Sequence, residues 1–391
     1  MKSWWRPPEL RIQESNLEPR HATWLELFFD LSFVVAIGQL AENLSQNISL
    51  VGFLTFVGLF IPIWWSWLNS TYYSNLFDTD DLLHRLLTAA NMVAVVALAV
   101  NLHDGFNETS VGFALSYTAI RILLIVEFLR AGWHIVAARP LTTRAAKSFG
   151  VAALLWLISA FMPIPVRFGF WILGLTVDLS MALTAGSAVH VKLAPHDSHL
   201  PERFGLFTLI VLGESFWAVI RGVEQQPWSI SSGIAIVFSI SIIFSLWWIY
   251  FENLGGSAIQ AARTCRSIAA YQTWLYVHLP LVIGLTATGV GLEHLLSITP
   301  DLVVPLAERC LICTGVVLCF LSLGIIYIAG LSNKARLHCK IRAMYRFGSA
   351  ALVLVFAIAG ADLLPVELIG LIAAVCATQI ILDLRQVRVA S

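Results

Sequence analysis

Residues 50–70 read LVGFLTFVGLFIPIWWSWLNS, a run of 21 residues without a charged side chain. At 1.5 Å per residue such a run forms a helix of about 30 Å, which is the thickness of the hydrocarbon core of a bilayer. Charged residues make up only 12% of the 391 residues and hydrophobic residues 58%, with a mean hydropathy of +0.80. These values exclude a soluble globular protein and predict an integral membrane protein.

Apolar stretches of this kind recur twelve times along the chain, and each is long enough to cross a bilayer. They cover approximately 24–44, 50–70, 83–102, 112–133, 147–162, 167–189, 203–222, 229–251, 269–291, 304–328, 343–361 and 365–383. The stretch 147–162 is the shortest, and the stretch 167–189 contains Asp178. The sequence therefore predicts an all-α fold with about twelve transmembrane helices.

Two dipeptides of the first half of the chain return in the second half at one offset. Ser32-Phe33 recurs as Ser215-Phe216, and Trp64-Trp65 recurs as Trp247-Trp248, both about 183 residues later. We interpret this pattern as two tandem six-helix repeats, because internal repeats are common in transporters and place the functional site between the two halves. An even number of helices in each repeat makes the two repeats parallel rather than inverted.

The predicted organisation has four parts. They are a cytoplasmic N-terminal segment at 1–20, a first six-helix repeat at 21–190, a cytoplasmic linker at 191–202, and a second six-helix repeat at 203–391 with a short cytoplasmic C-terminus. The oligomeric state is left open.

Lys and Arg are distributed unevenly between the two sides of the predicted membrane. The connections on the side of the N-terminus hold most of them, for example at 139–147 and 334–346, whereas the opposite side holds only Arg167, Arg221 and Arg309. The positive-inside rule then predicts that both termini face the cytoplasm. The predicted location is the cell (inner) membrane, with the lipid bilayer as the surrounding partner.

Acidic residues fall inside the predicted helices, near the middle of the membrane. Glu26 and Asp30 lie in the first helix, and Glu214 lies in the seventh. Insertion of an ionisable side chain at this depth costs about 2.5–3.5 kcal/mol of free energy, so each of these residues requires a structural or functional explanation. Glu26 and Asp30 are one helical turn apart, and their repulsion favours binding of a proton or a cation. In the alternative interpretation, Asp30 and Glu214 each pair with an arginine and only lock helices together.

Other ionisable residues of the predicted helices are candidates for the same site. Arg121 keeps its charge and requires a buried acid, for which Asp178 or Asp30 is the expected partner. Arg203, near the cytoplasmic end of the seventh helix, is expected to extend to the membrane interface. His278 is interpreted as a proton relay, as a hydrogen-bonded structural residue or as a haem ligand. The candidate ion- or substrate-binding residues are Glu26, Asp30, Arg121, Asp178, Glu214 and His278.

Sequence motifs of enzymes are missing. There is no P-loop, no H-E-x-x-H and no G-x-S-x-G motif. Cys310 and Cys313 form a C-x-x-C pair in an apolar helix without a second Cys or His pair nearby, so we expect helix packing rather than zinc. We predict no catalytic residues, no cofactor and no metal, and the formal net charge of +0 gives no indication of nucleic-acid binding.

The first and seventh predicted helices carry distinctive motifs. Residues 25–30 read L-E-L-F-F-D, and residues 202–214 read E-R-F-G-L-F-T-L-I-V-L-G-E. With 276–280 (Y-V-H-L-P) and 291–294 (G-L-E-H), the chain resembles the low temperature requirement A (LtrA) family over almost its whole length, although Trp24 stands where that family often has a small residue or Pro. The resemblance implies a multi-pass inner-membrane protein, named for a growth phenotype in the cold, without a settled biochemical activity. Its motifs include Glu26, Asp30, Arg203, Glu214 and His278.

Three hypotheses about function remain at this point. The leading one is a proton- or cation-linked secondary transporter or permease for a small solute. The second is a non-transporting membrane protein that supports growth in the cold, and the third is a membrane enzyme or redox protein that binds a lipid, quinone or haem. Unpaired buried acids favour transport, and the lack of a nucleophile or metal motif in the sequence disfavours an enzyme.

Overall fold

The computed structural model describes residues 4–10, 21–184, 199–252, 268–329 and 336–390. Of the predicted N-terminal segment, residues 1–3 and 11–20 lie outside these ranges. Of the predicted linker, residues 191–198 also lie outside them.

Within these ranges the chain forms twelve α-helices, each overlapping one predicted apolar stretch, so the all-α prediction is confirmed. They are α1 (Trp24–Gln46), α2 (Leu50–Leu76), α3 (Leu82–Val100), α4 (Ser110–His134), α5 (Arg139–Ser159), α6 (Val166–Thr184), α7 (His199–Glu224), α8 (Ile230–Phe251), α9 (Ile268–Ser297), α10 (Leu306–Ala329), α11 (Arg336–Ala359) and α12 (Pro365–Ala390). A short 3-10 helix, Val136–Ala138, precedes α5. Two short strands, β1 (Glu9–Leu10) and β2 (Phe77–Asp78), pair in antiparallel orientation.

The helices are those of a multi-pass membrane protein. Among the described residues, eleven helices are long and apolar enough to cross a membrane. Helix α6 carries Arg167 near its start, and the guanidinium group donates hydrogen bonds of 3.1 and 2.8 Å to the carbonyl oxygens of Ser159 and Met162. The twelve described helices, eleven of them candidate spans, agree with a multi-pass membrane protein.

Local sequence explains several helix starts. The side chain of Asp81 accepts a 3.0 Å hydrogen bond from the backbone N–H of His84 and caps the N-terminus of α3. Helix α7 begins at His199, four residues before the predicted start, with Pro201 and Glu202 in its first turn. Proline is tolerated in the first turn of a helix, and an acidic residue there is stabilised by the helix dipole.

The chain divides into two compact units. Unit 1 comprises Met1–Leu40 and Gly58–Arg203, and unit 2 comprises Ala41–Val57 and Phe204–Ser391. In unit 1, helices α3, α4, α5 and α6 pack against one another in sequence order. One core region of this unit is rich in aromatic side chains, among them Tyr73, Phe77, Phe128 and Phe149.

In unit 2, helices α9, α10 and α11 pack in sequence order, and α12 packs against α8. Small residues bring α9 and α10 close together. A Cβ atom on Gly284 would lie 2.8 Å from the carbonyl oxygen of Gly315, and one on Gly315 would lie 2.7 Å from the backbone nitrogen of Thr288. Close approach through small residues is typical of helix packing in membranes.

Candidate functional site

Arg203, in the first turns of α7, is buried with 1% of its surface exposed and contacts two carboxylates of α1. Its Nε and Nη2 atoms lie 3.0 and 2.7 Å from the two carboxylate oxygens of Asp30, which makes a bidentate ion pair. Its Nη1 atom lies 3.4 Å from Oε1 of Glu26. The indole N–H of Trp67 donates a 2.8 Å hydrogen bond to Oδ1 of Asp30. The prediction that Arg203 extends to the membrane interface is wrong, because it is buried against Asp30.

Glu26 has further contacts at the start of α1. The backbone N–H and the hydroxyl group of Thr23 donate hydrogen bonds of 2.7 and 3.0 Å to its Oε2 atom, and its own N–H donates to the Thr23 hydroxyl oxygen at 3.3 Å. This reciprocal arrangement is a capping box. Nε2 of His199 lies 3.4 Å from the same Oε2 atom, and its Nδ1 lies 2.9 Å from the Asn75 amide nitrogen. We name Glu26, Asp30, His199 and Arg203 the Arg203 cluster.

The Arg203 cluster contains more carboxylates than guanidinium groups, and the imidazole of His199 lies beside them. The two carboxylates share one guanidinium group, which leaves one negative charge when His199 is neutral. A protonated His199, a proton on a carboxylate or a bound cation can balance that charge. Because an unbalanced buried charge is costly at low dielectric constant, the cluster has a physical reason to take up a proton or a cation.

Unit 2 contains a second group with the same excess of acid. Nε and Nη2 of Arg221 lie 3.1 and 2.8 Å from Oε2 of Glu293, and its Nη1 lies 3.1 Å from Oε1 of Glu214. The Ser45 hydroxyl group donates to Oε1 of Glu293 at 3.2 Å and lies 2.9 Å from Nε2 of His294. We name Glu214, Arg221 and Glu293 the Arg221 cluster. Glu214 is therefore paired, as the helix-locking interpretation expects, but two carboxylates again share one guanidinium group.

Arg121 pairs with Asp178, one of the two partners that the sequence left open. The Nε atom of Arg121 lies 3.2 Å from Oδ2 of Asp178, and both side chains are fully buried. The Tyr117 hydroxyl group donates to Asp178 at 3.2 Å and accepts a hydrogen bond from Arg121, whose guanidinium group lies 4.7 Å from the centre of the Tyr117 ring. With one acid and one base, this pair is neutral.

Arg346 forms a buried ion pair in unit 2. It contacts Asp383 of α12 and donates to the side chains of Gln379 and Tyr327. Nε of Arg342 lies 3.8 Å from Oδ1 of Asp383. The sequence placed Arg346 in a cytoplasmic connection, and this was wrong because its side chain is fully buried in α11.

His278, in α9, lies among aromatic side chains. Its ring centre is 4.6, 4.7 and 5.8 Å from those of Phe204, Trp274 and Tyr250. Its Nδ1 lies 2.7 Å from the Trp274 carbonyl oxygen, and its buried Nε2 has no hydrogen-bond partner in the part of the chain that the structure describes. Packing and one hydrogen bond hold the ring, so the proton-relay hypothesis stays a prediction.

Asp81, just before α3, is the centre of a group of hydrogen bonds with Arg130, His84 and Arg6, which we name the Asp81 clamp. Arg130 donates a 2.5 Å hydrogen bond to Oδ2 of Asp81 and a 3.0 Å bond to the Arg6 carbonyl oxygen. The backbone N–H groups of His84 and Arg6 donate to Asp81 at 3.0 and 3.4 Å. Burial alone would raise the pKa of Asp81, but these hydrogen bonds hold the pKa below its usual value. The clamp joins the start of α3 to α4 and the N-terminal segment.

Sequence reasoning missed three members of the two clusters. Arg221 lies seven residues after Glu214, about two helical turns, so the spacing could have indicated their pairing. The pattern Thr23-x-x-Glu26 could have indicated the capping box. His199 lies one helical turn before Arg203, so its place depends on the start of α7 at His199 rather than at the predicted residue 203. Nothing in the sequence indicated that Glu293 would join Arg221, because the two are 72 residues apart.

Clusters of His, Cys, Asp and Glu side chains were predicted to be absent as metal sites, and the cysteines to serve helix packing. Among them, no group of three or more His, Cys, Asp and Glu side chains could hold a metal ion. Cys310 and Cys313 are free thiols, the first exposed and the second buried.

Comparisons with known proteins identify relatives but no activity. Residues 21–384 match the model of a family described as "Bacterial low temperature requirement A protein (LtrA)". The chain is also 28% identical over 302 residues to "Uncharacterized protein RA0937" of Rhizobium meliloti (strain 1021), an alignment that covers 73% of this chain and 72% of the relative. No solved structure matches.

Proposed function

The chain belongs to the bacterial low temperature requirement A family, and we propose that it is a proton- or cation-linked secondary transporter or permease for a small solute in the cell (inner) membrane. The excess of acid in the Arg203 and Arg221 clusters carries this proposal. Each cluster has two carboxylates and one guanidinium group. A pair that served only to join helices would need one acid and one base.

Coupling to an ion requires that the net charge of each cluster changes when the ion binds or leaves. With a proton or a cation bound, each cluster is neutral, and without it each cluster has one uncompensated negative charge. Because burial makes that charge costly, a conformation that admits water is favoured when the ion leaves. Glu26, Asp30 and Glu214 are the proposed binding groups, and Arg203 and Arg221 position them.

The arrangement of helices supports the proposed tandem repeat. Six described helices precede residue 191 and six follow residue 198. In the first set, Asp178 of the sixth helix contacts Arg121 and Tyr117, both from the fourth helix. In the second set, Asp383 of the sixth helix contacts Arg346, which donates to Tyr327 of the fourth helix. Orientation with both termini in the cytoplasm remains part of this proposal.

A non-transporting protein is the second candidate. It is favoured by the observation that Asp30 and Glu214, which the transport hypothesis expected to be unpaired, each contact an arginine. This candidate requires only that the ion pairs stabilise the fold.

Replacement of Glu214 by glutamine separates the two candidates. We expect Glu214→Gln to abolish proton flux into proteoliposomes under an imposed pH gradient, because the variant removes the excess charge of the Arg221 cluster. The dye-detected flux of the wild type is the reference, and Glu224→Gln is the matched control at an exposed position of the same helix.

The control is expected to retain the flux of the wild type. A Glu214→Gln protein with normal flux contradicts the proposal. A loss of folded protein as large as the loss of flux supports the non-transporting candidate instead.

A further inference from the structure

A small polar cavity lies within unit 1, beside the first turns of α1 and α3 and the last turns of α2. Its volume is about 20 Å³, which is room for one water molecule and therefore for one cation without its hydration shell. The lining residues are Leu25, Glu26, Phe29, Ser70, Ser74, His84, Thr88, Asn91 and Glu127. Most of these side chains have oxygen atoms, which is unusual for a cavity between apolar helices.

Asn91 is the clearest indication that the cavity has a ligand. Its side chain is buried, with 4% exposed, and its Oδ1 atom has no hydrogen-bond partner among the described residues. Its amide nitrogen lies 3.5 Å from Oγ of Ser70, so the amide is already engaged on that side. A buried carbonyl oxygen without a partner loses the hydrogen bonds it would make to water, and a bound ligand removes that cost.

Two carboxylates of the lining supply negative charge. Oε1 of Glu127 lies 3.2 Å from Nδ1 of His84. Glu26 shares the guanidinium group of Arg203 with Asp30. Both carboxylates therefore place oxygen donors beside the cavity.

We propose that this cavity binds one dehydrated monovalent cation of the size of Na⁺. The ligands are Oδ1 of Asn91, Oγ of Ser70 and the carboxylates of Glu26 and Glu127. Carboxylate, amide and hydroxyl oxygens are the donors that hard cations prefer. The cavity is too small for a hydrated ion, so selection is by size.

This site adds Na⁺ as a second coupling ion beside the proton of the proposed transporter, and only that use of the ion rests on the proposed function. Binding itself can be measured without transport. If Na⁺ does not bind and proton flux is nevertheless present, the cation site is wrong and the transport proposal stands. If Na⁺ binds and no proton flux is present, the cation site stands and the transport proposal is wrong.

The test is the melting temperature of the purified full-length protein in detergent at increasing NaCl, with KCl and choline chloride at equal ionic strength as references. A ligand that binds only the folded state raises the melting temperature in a saturable way. We expect this rise with Na⁺ and not with K⁺ or choline. An equal response to all three salts overturns the proposal.

Two asparagine variants complete the test. Asn91→Ala removes the unpartnered oxygen, and we expect it to weaken the apparent Na⁺ affinity by at least about tenfold. Asn69→Ala is the matched control, since Asn69 donates to the Trp65 carbonyl oxygen and does not line the cavity. If Asn91→Ala keeps the Na⁺ response of the wild type, or if Asn69→Ala loses it equally, the cavity is not the binding site.

Discussion

The variant Arg203→Met is expected to lose about 3–5 kcal/mol of its free energy of unfolding, because it leaves Asp30 and Glu26 buried without their shared cation. The Trp67 indole N–H still donates to Asp30, but one neutral hydrogen bond does not replace a bidentate ion pair. Chemical or thermal denaturation of the purified protein in detergent measures the loss. Arg203→Lys should recover only part of it, since an ammonium group cannot make the forked contact.

A surface arginine provides the control for this prediction. Arg85 pairs with Asp80 at 2.6 Å, and both side chains are about half exposed, at 48% and 50%. Exposed ion pairs contribute little, so Arg85→Met should change the free energy of unfolding by less than about 1 kcal/mol. Equal losses in Arg203→Met and Arg85→Met would mean that Arg203 is not the buried partner of Asp30.

Arg121→Met is expected to cost a similar amount, about 3–5 kcal/mol, because it leaves Asp178 buried and unpaired. The double variant Arg121→Met with Asp178→Leu should recover most of that loss, since apolar side chains of similar volume replace a buried ion pair at little cost. A double-mutant cycle of unfolding free energies measures the coupling. Proton flux of the double variant should equal that of the wild type, because the Arg121–Asp178 pair is neutral and lies outside the proposed binding groups.

Two results would contradict this second prediction. A double variant as unstable as Arg121→Met alone would show that the pair contributes more than charge balance to the packing of α4 and α6. A double variant that is stable but has no flux would place Arg121 or Asp178 in the transport site.

The helices could be predicted from the sequence because a span must be long enough to cross the bilayer and apolar along its length, and both properties can be read directly from the residues. Helix α2 extends the predicted stretch 50–70 by six residues, to Leu76, and the other helices differ from their stretches by comparable amounts. Patterns within single helices, such as the capping box at Thr23 and Glu26, were also readable in principle.

The ion pairs could not be predicted in the same way. Asp30 and Arg203 are 173 residues apart, and their contact depends on which helices pack together. An arginine next to a predicted cytoplasmic connection is normally expected to extend to the interface, which is why Arg203 was misplaced. The excess of acid in each cluster became visible only when Arg203 and Arg221 were each found between two carboxylates.

The most direct test of the account is proton flux through Glu26→Gln in proteoliposomes under an imposed pH gradient, measured together with its melting temperature. Glutamine can replace glutamate in a capping box, so the variant retains the cap of α1 and leaves Asp30 and Arg203 as a neutral pair. If the excess carboxylate binds the transported charge, the variant keeps the melting temperature of the wild type or exceeds it and has no flux. Flux at the level of the wild type in a stably folded Glu26→Gln protein would contradict the account.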